Sequence, residues 1–77
     1  MQNVMLTTLN AGEIMAHDLM RLVGQVVETI YPADNPLDGC EQVLLLPDGT
    51  RKSFRLAELR LANEFERRRF VQTAIDY

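Results

Sequence analysis

The sequence predicts a mainly β domain with a C-terminal α-helix. Three observations carry that reading: a turn written Pro47-Asp48-Gly49-Thr50 between two apolar segments, two glycine-led β-prone stretches before it, and a run of helix formers from residue 63 onward. Seventy-seven residues leave room for one compact core, so 1–77 reads as a single domain, with 11–62 as the β part and 63–77 as the helix. A core of this size leaves a surplus of roughly 3–5 kcal/mol over conformational entropy. With one cysteine and no zinc-ligand set to add to it, self-association is expected.

The hairpin is the clearest element. Val43-Leu44-Leu45-Leu46 runs into the turn, and Arg51 to Leu56 returns with alternating polarity. Proline presets φ at the first turn position, aspartate bonds back to its own backbone, and glycine takes the left-handed conformation that lets the return strand pair through a bulge. Phe54 and Leu56 then share an inward face while Arg51, Ser53 and Arg55 share a wet one. Upstream, residues 31–39 hold two prolines, an asparagine and a glycine and read as a long loop. Downstream, Phe70, Val71 and Ala74 form a narrow stripe on the predicted terminal helix.

Residues 11–30 support two readings. As a helix, Met15, Leu19, Leu22, Val23, Val26 and Ile30 fall on one face, and Asn10 with Glu13 makes a capping pair. As strands, 12–16 forms one segment and 24–31 a second, the latter rich in Val, Thr, Ile and Tyr. Periodicity favours the helix, giving an α+β helix–β-hairpin–helix fold. Glycine placement and β-branching favour the strands.

A resemblance decides between them. Ala11-Gly12-Glu13-Ile14-Met15, then Val23-Gly24-Gln25-Val26-Val27-Glu28, then the hairpin, then Phe54-Arg55-Leu56-Ala57-Glu58-Leu59-Arg60-Leu61 resembles the strand order of SH3-like small barrels, in which a short helical turn precedes the last strand. The resemblance covers residues 11–62 and implies a five-stranded barrel, a fold that hosts many functions. In layout the chain looks most like the plasmid-encoded, trimethoprim-resistant dihydrofolate reductases, tetramers of small barrels around a shared pore. Where those enzymes use a Gln-Ile-Tyr run, this chain has Lys52, Ser53 and Phe54. Their activity is therefore not carried over, and no cofactor is expected.

Charge is divided unevenly. Residues 1–50 hold seven acids (Glu13, Asp18, Glu28, Asp34, Asp38, Glu41, Asp48) and one base, Arg21, whereas 51–77 hold seven bases and four acids, so the halves carry −6 and +3. An acidic whole argues against general nucleic-acid affinity, while a basic C-terminal third fits an acidic surface or a phosphate backbone. Against that stands a solvated helix with attraction between the halves. A single cysteine fits a reducing compartment, and no apolar run is long enough for a membrane span or a secretory signal, so a cytoplasmic protein without membrane contact is expected.

Catalytic chemistry finds little support. His17 and Asp18 are adjacent and so point apart on a strand or diverge by about 100° on a helix, which favours a structural or solvent-exposed histidine. Cys40 precedes Glu41, a neighbour of the wrong sign to activate a thiolate, and reads as a small buried hydrophobe. Asp34, Asp38, Glu41 and Asp48 match no calcium loop, and no metal is expected. Arg67, Arg68 and Arg69 fan over about 200° of a helix. Pairing of Glu64 with Arg68 competes with their bordering a basic surface together with Arg51, Arg55 and Arg60.

Three function classes follow. The first is a non-catalytic, self-associating interaction or adaptor protein that uses Arg51, Ser53 and Arg55 of the hairpin and the loop around Tyr31. The second binds nucleic acid or an acidic protein through Arg67, Arg68 and Arg69. The third is an oligomeric small-barrel enzyme with a shared pore site.

Overall fold

The computed structural model describes residues 8–31 and 39–76. Its strands are β1 (Ile14–His17), β2 (Leu22–Ile30), β3 (Glu41–Leu45), β4 (Arg51–Arg55) and β5 (Arg60–Leu61), followed by one helix, α1 (Glu64–Asp76). They form one antiparallel sheet in the order β4-β3-β2-β1-β5. The chain meanders from β1 to β4, makes a 3-10 turn over Leu56–Glu58 and returns β5 beside β1. This is the mainly β class with a C-terminal helix that the sequence predicts, and the helix–hairpin–helix alternative does not form. β4 and β5 are left as the two edges, so the sheet is open rather than closed into a barrel. Residues 32–38 of the turn-rich loop, and Tyr77 of the predicted helix, lie outside the described residues.

Residues 11–30 become strands for reasons of packing. β-Branched residues populate β2, and Gly24 sits where a side chain has no room: a Cβ there would lie 2.8 Å from Leu44 Cβ and 3.0 Å from Leu46 Cδ2. The helical stripe is dispersed. Met15 and Val26 point into the core, Leu19 is almost fully exposed in the β1–β2 turn, and Ile30 faces outward. Asn10, expected to cap a helix, instead adopts φ 56° in a turn whose carbonyl accepts the Glu13 N–H at 2.8 Å.

Ile30 points outward because β2 carries a bulge. Val26 pairs with Leu44 and Glu28 with Val43, leaving Val27 without a register partner. Val27 and Glu28 are consecutive exposed residues, and alternation resumes with Thr29 buried. Such a bulge bends the strand. The curl is large: the rings of His17 on β1 and Phe54 on β4 stand 4.6 Å apart, although three strand spacings would put these strands about 14 Å apart in a flat sheet.

The hairpin follows its expected chemistry. Asp48 Oδ1 accepts the Thr50 N–H at 3.0 Å and the Thr50 hydroxyl at 2.7 Å, Gly49 takes φ 92°, and the Leu46 N–H donates to the Thr50 carbonyl at 2.8 Å. Phe54 and Leu56 pack toward Met15, Val26 and Leu44 on the concave face, while Arg51, Ser53 and Arg55 are exposed. On the convex face Phe70 of α1 joins Ile14 and Ala62, with Val23 beside them. It is the only buried residue of the helix. Val71 and Ala74 of the predicted stripe are exposed, because α1 meets the sheet along a contact one side chain wide.

A buried polar cluster ties the chain preceding β1 to the sheet. Gln42 is fully buried opposite Thr29; its Oε1 accepts the Thr29 hydroxyl, and its Nε2 donates to Leu9 O at 2.8 Å and Asn10 Oδ1 at 3.2 Å. The Leu9 N–H donates to Thr29 Oγ1 at 2.7 Å. Both amide protons and the carbonyl oxygen of Gln42 are thereby used, which is what makes its burial tolerable. Cys40 is likewise fully buried, as its reading as a small hydrophobe anticipates.

The Gly24 packing makes a measurable prediction. Gly24→Ala must push Leu44 away from the centre of the core and is expected to lower the unfolding free energy by about 1–3 kcal/mol, measured by urea denaturation, with an unchanged slope if the fold is retained.

Candidate functional site

A concavity of about 660 Å³ lies between α1 and the two turns at the same end of the sheet. Leu22, Leu46 and Pro47 form its sheet side and Phe65, Phe70 and Thr73 its helix side, with Arg21 and Arg69 also lining it. Three carboxylates reach it, and each is held by the chain itself. Asp18 and Glu66 take opposite sides of the Arg60 guanidinium: Nη2 lies 2.8 Å from Asp18 Oδ1 and 2.7 Å from Glu66 Oε2, with Nη1 2.8 Å from Glu66 Oε1. Asp48 is occupied by Thr50.

Helix capping adds to this clamp. The Asn63 side chain accepts the Glu66 N–H at 2.8 Å, and Glu66 Oε1 accepts the Asn63 N–H at 2.9 Å, a reciprocal cap that begins α1 at Glu64. The Arg60 bonds, then the Asn63 N–H, pull the Glu66 carboxyl down to about 2 from 4.5. Hydrogen bonding to Arg60 lowers Asp18 as well, and the Thr50 N–H followed by its hydroxyl lowers Asp48. Arg60 is raised above its ordinary value by Glu66 first and Asp18 second.

His17 is structural. It is buried, its Nδ1 accepts the Met20 N–H at 3.1 Å, its Nε2 lies 3.7 Å from Glu58 Oε1, and Asp18 turns away to Arg60. No histidine–carboxylate dyad is assembled from the adjacent pair. The acids weighed for a metal are dispersed too: Asp34 and Asp38 lie outside the described residues, and among those described no three His, Cys, Asp or Glu gather as a ligand set. Among the described residues no helix is long and apolar enough to cross a membrane.

The residues singled out in the sequence fall on β4, on α1 and just past the end of β2. Arg51 and Arg55 lie exposed on the edge strand β4, and Tyr31 directly follows Ile30, whose row across the sheet runs through Glu41 to Arg55. Arg67, Arg68 and Arg69 lie on α1 and separate as the 200° fan requires. Arg67 stands 3.9 Å from Glu13 and Arg68 2.8 Å from Glu64, both beside a second, shallower hollow, whereas Arg69 reaches the main groove with its guanidinium 5.7 Å from the Phe65 ring centroid. Arg60, expected to extend a basic surface, is consumed internally. Sequence reasoning missed Arg21 as a groove residue; its standing as the lone base of the first fifty residues was the available signal.

The chain matches no family model, no curated protein and no solved structure.

The Arg60 clamp fixes a direction for acid unfolding. Glu66 titrates lower in the folded chain than in the unfolded one, so its contribution is complete above 4.5 and is lost as pH falls from there toward about 2. The melting temperature is expected to drop across that window, and more shallowly in Arg60→Gln, which removes the charge from the clamp; thermal scans of both proteins at several pH values measure the difference.

Proposed function

We propose that this protein is a non-catalytic interaction domain whose edge strand β4 takes up an acidic, extended segment of a partner protein. The observation that carries the reading is the charge and orientation of that edge. The Leu46 N–H to Thr50 O and Leu56 N–H to Cys40 O bonds mark Thr50 and Leu56 as facing β3, and pairing alternates along the strand, so the N–H and C=O of Arg51, Ser53 and Arg55 face outward. Beside these groups stand Arg51, Lys52 and Arg55, exposed and without an ion-pair partner among the described residues. Strand addition supplies affinity through backbone bonds, and alternate acidic side chains supply selectivity. Two copies of β4 laid edge to edge would oppose three cations to three, so the same charges discourage self-pairing there.

The strand order, the 3-10 turn before β5 and the curl that brings His17 to Phe54 support reading the sheet as an SH3-like small barrel with an open β4–β5 seam. That reading says nothing of chemistry.

A synthetic seven-residue peptide alternating Glu or Asp with Val is expected to bind at low salt and to slow amide exchange at Arg51, Ser53 and Arg55. Methylating alternate peptide nitrogens, or the double change Arg51→Glu with Arg55→Glu, is expected to weaken it by roughly tenfold or more. Binding that leaves those three amides unchanged would remove the proposal.

A second reading concerns self-association. Val71 and Ile75, one turn apart on α1, are 48% and 72% exposed, and Val71 borders the shallow hollow with Ile14. We infer that two copies pair through this face of α1. Sedimentation equilibrium is expected to show a dimer that Val71→Lys with Ile75→Lys converts to monomer; a wild-type monomer at several hundred micromolar rejects the pairing.

A further inference from the structure

The groove beneath α1 is on a different surface from the β4 edge and stands independently of it. We propose that it binds a small organic anion with an apolar body, the anionic group held between Arg21 and Arg69 and the body seated against Leu22, Pro47 and Phe65. Its volume of about 660 Å³ falls within the size usual for small-ligand sites, and apolar walls with a few placed charges are their usual lining.

The electrostatics select the sign of the ligand. Asp18 and Glu66 have given their oxygens to Arg60, and Asp48 accepts from Thr50. Arg21 and Arg69 form no ion pair among the described residues, and Arg69 is held near the Phe65 ring by a cation–π contact that leaves its N–H groups in the guanidinium plane available. Of the carboxylate oxygens at the groove only Asp48 Oδ2 accepts no hydrogen bond from another described residue, so a cationic ligand would find one free acceptor where an anion finds two guanidinium groups. An anion displaces nothing.

Arg21 adds an independent reason. It ends the tight β1–β2 turn with φ 54°, where its N–H donates to the Asp18 carbonyl at 3.2 Å. Left-handed backbone suits glycine and disfavours a residue with a Cβ. A long cationic side chain at this position works against the turn, and its exposed head contributes no internal bond among the described residues in return. Backbone strain of this kind clusters at ligand-binding sites.

The strain also supplies a variant that separates binding from folding. Arg21→Gly relieves the backbone and is expected to keep or raise the melting temperature while removing one of the two cations. The probes are 2-naphthoate, 2-naphthyl phosphate and the uncharged 2-naphthylmethanol, followed by shifts of the backbone amide resonances of Arg21, Leu22, Phe65 and Arg69. Saturable shifts at these amides are expected with both anions, and affinity roughly tenfold lower for the alcohol, for Arg21→Gly and for Arg69→Gln. The proposal is overturned if the alcohol binds as tightly as the anions, if the shifts fall elsewhere, if neither anion saturates at millimolar concentration, or if Arg21→Gly folds normally and binds undiminished. Failure of the acidic peptide at β4 has no bearing on this result.

Discussion

A single guanidinium ties the β1–β2 turn to β5 and to the start of α1. β5 is two residues long and α1 buries one side chain, so neither element is oriented by its own apolar contact. Arg60, on β5, donates to Asp18 of the β1–β2 turn on one side and to Glu66 of the first turn of α1 on the other. The geometry is two-pronged at both carboxylates, which fixes direction as well as distance. With Asn63 and Glu66 capping each other, the start of the helix is determined relative to the sheet, and Phe70 then falls onto Ile14 and Ala62. The groove is a product of this arrangement: it is the space left where a helix, pinned at its first turn and at Phe70, stands over two hairpin turns.

The concave side of the sheet is governed by close packing and one polar cluster. Gly24 lets β2 approach Leu44 and Leu46, the bulge at Val27 bends the strand beyond it, and the bend brings Thr29 rather than Glu28 inward to meet Gln42. Gln42 in turn holds Leu9 and Asn10. An amide buried with all its bonds made specifies one arrangement of its neighbours, since any other leaves a donor or acceptor unpaired in a dry site. Without the curl His17 would not reach Phe54, which packs against Met15, Val26 and Leu44.

Local chemistry was legible in the sequence, and long-range chemistry was not. The Pro47 to Thr50 turn, the inward Phe54 and the Glu64–Arg68 pair depend on residues within a few positions of each other, and each formed as expected, while the 3-10 turn at Leu56 formed where the small-barrel resemblance implied a short helical turn. The helical stripe through residues 15–30 misled because its members part company once β1 and β2 form: Met15 and Val26 point into the core, Leu19 is exposed in the turn between them, and the bulge at Val27 turns Ile30 outward. His17, Gln42 and Arg60 carried no local mark of their roles. Their partners lie at Phe54 and Glu58, at Leu9 and Asn10, and at Asp18, reached only once the sheet has curled and β5 has returned. The candidate groove is of this second kind, assembled from two turns and a helix far apart in sequence.

The division of charge between the halves takes on a specific meaning in the fold. Opposite charges would neutralise each other if the chain simply collapsed on itself, yet among the described residues only Asp18–Arg60, Glu13–Arg67 and the His17–Glu58 approach join the two halves. The pairs Arg60–Glu66 and Arg68–Glu64 are made within the basic third. What is neutralised is therefore the ground around β5 and the start of α1, where orientation must be fixed. What is left charged is the β4 edge, where three cations stand beside backbone groups that pair with no other strand among the described residues, and the two arginines that flank the groove. Attraction within the chain is spent on architecture, and the cations it does not use stand where the backbone or an apolar wall offers a partner a second point of attachment.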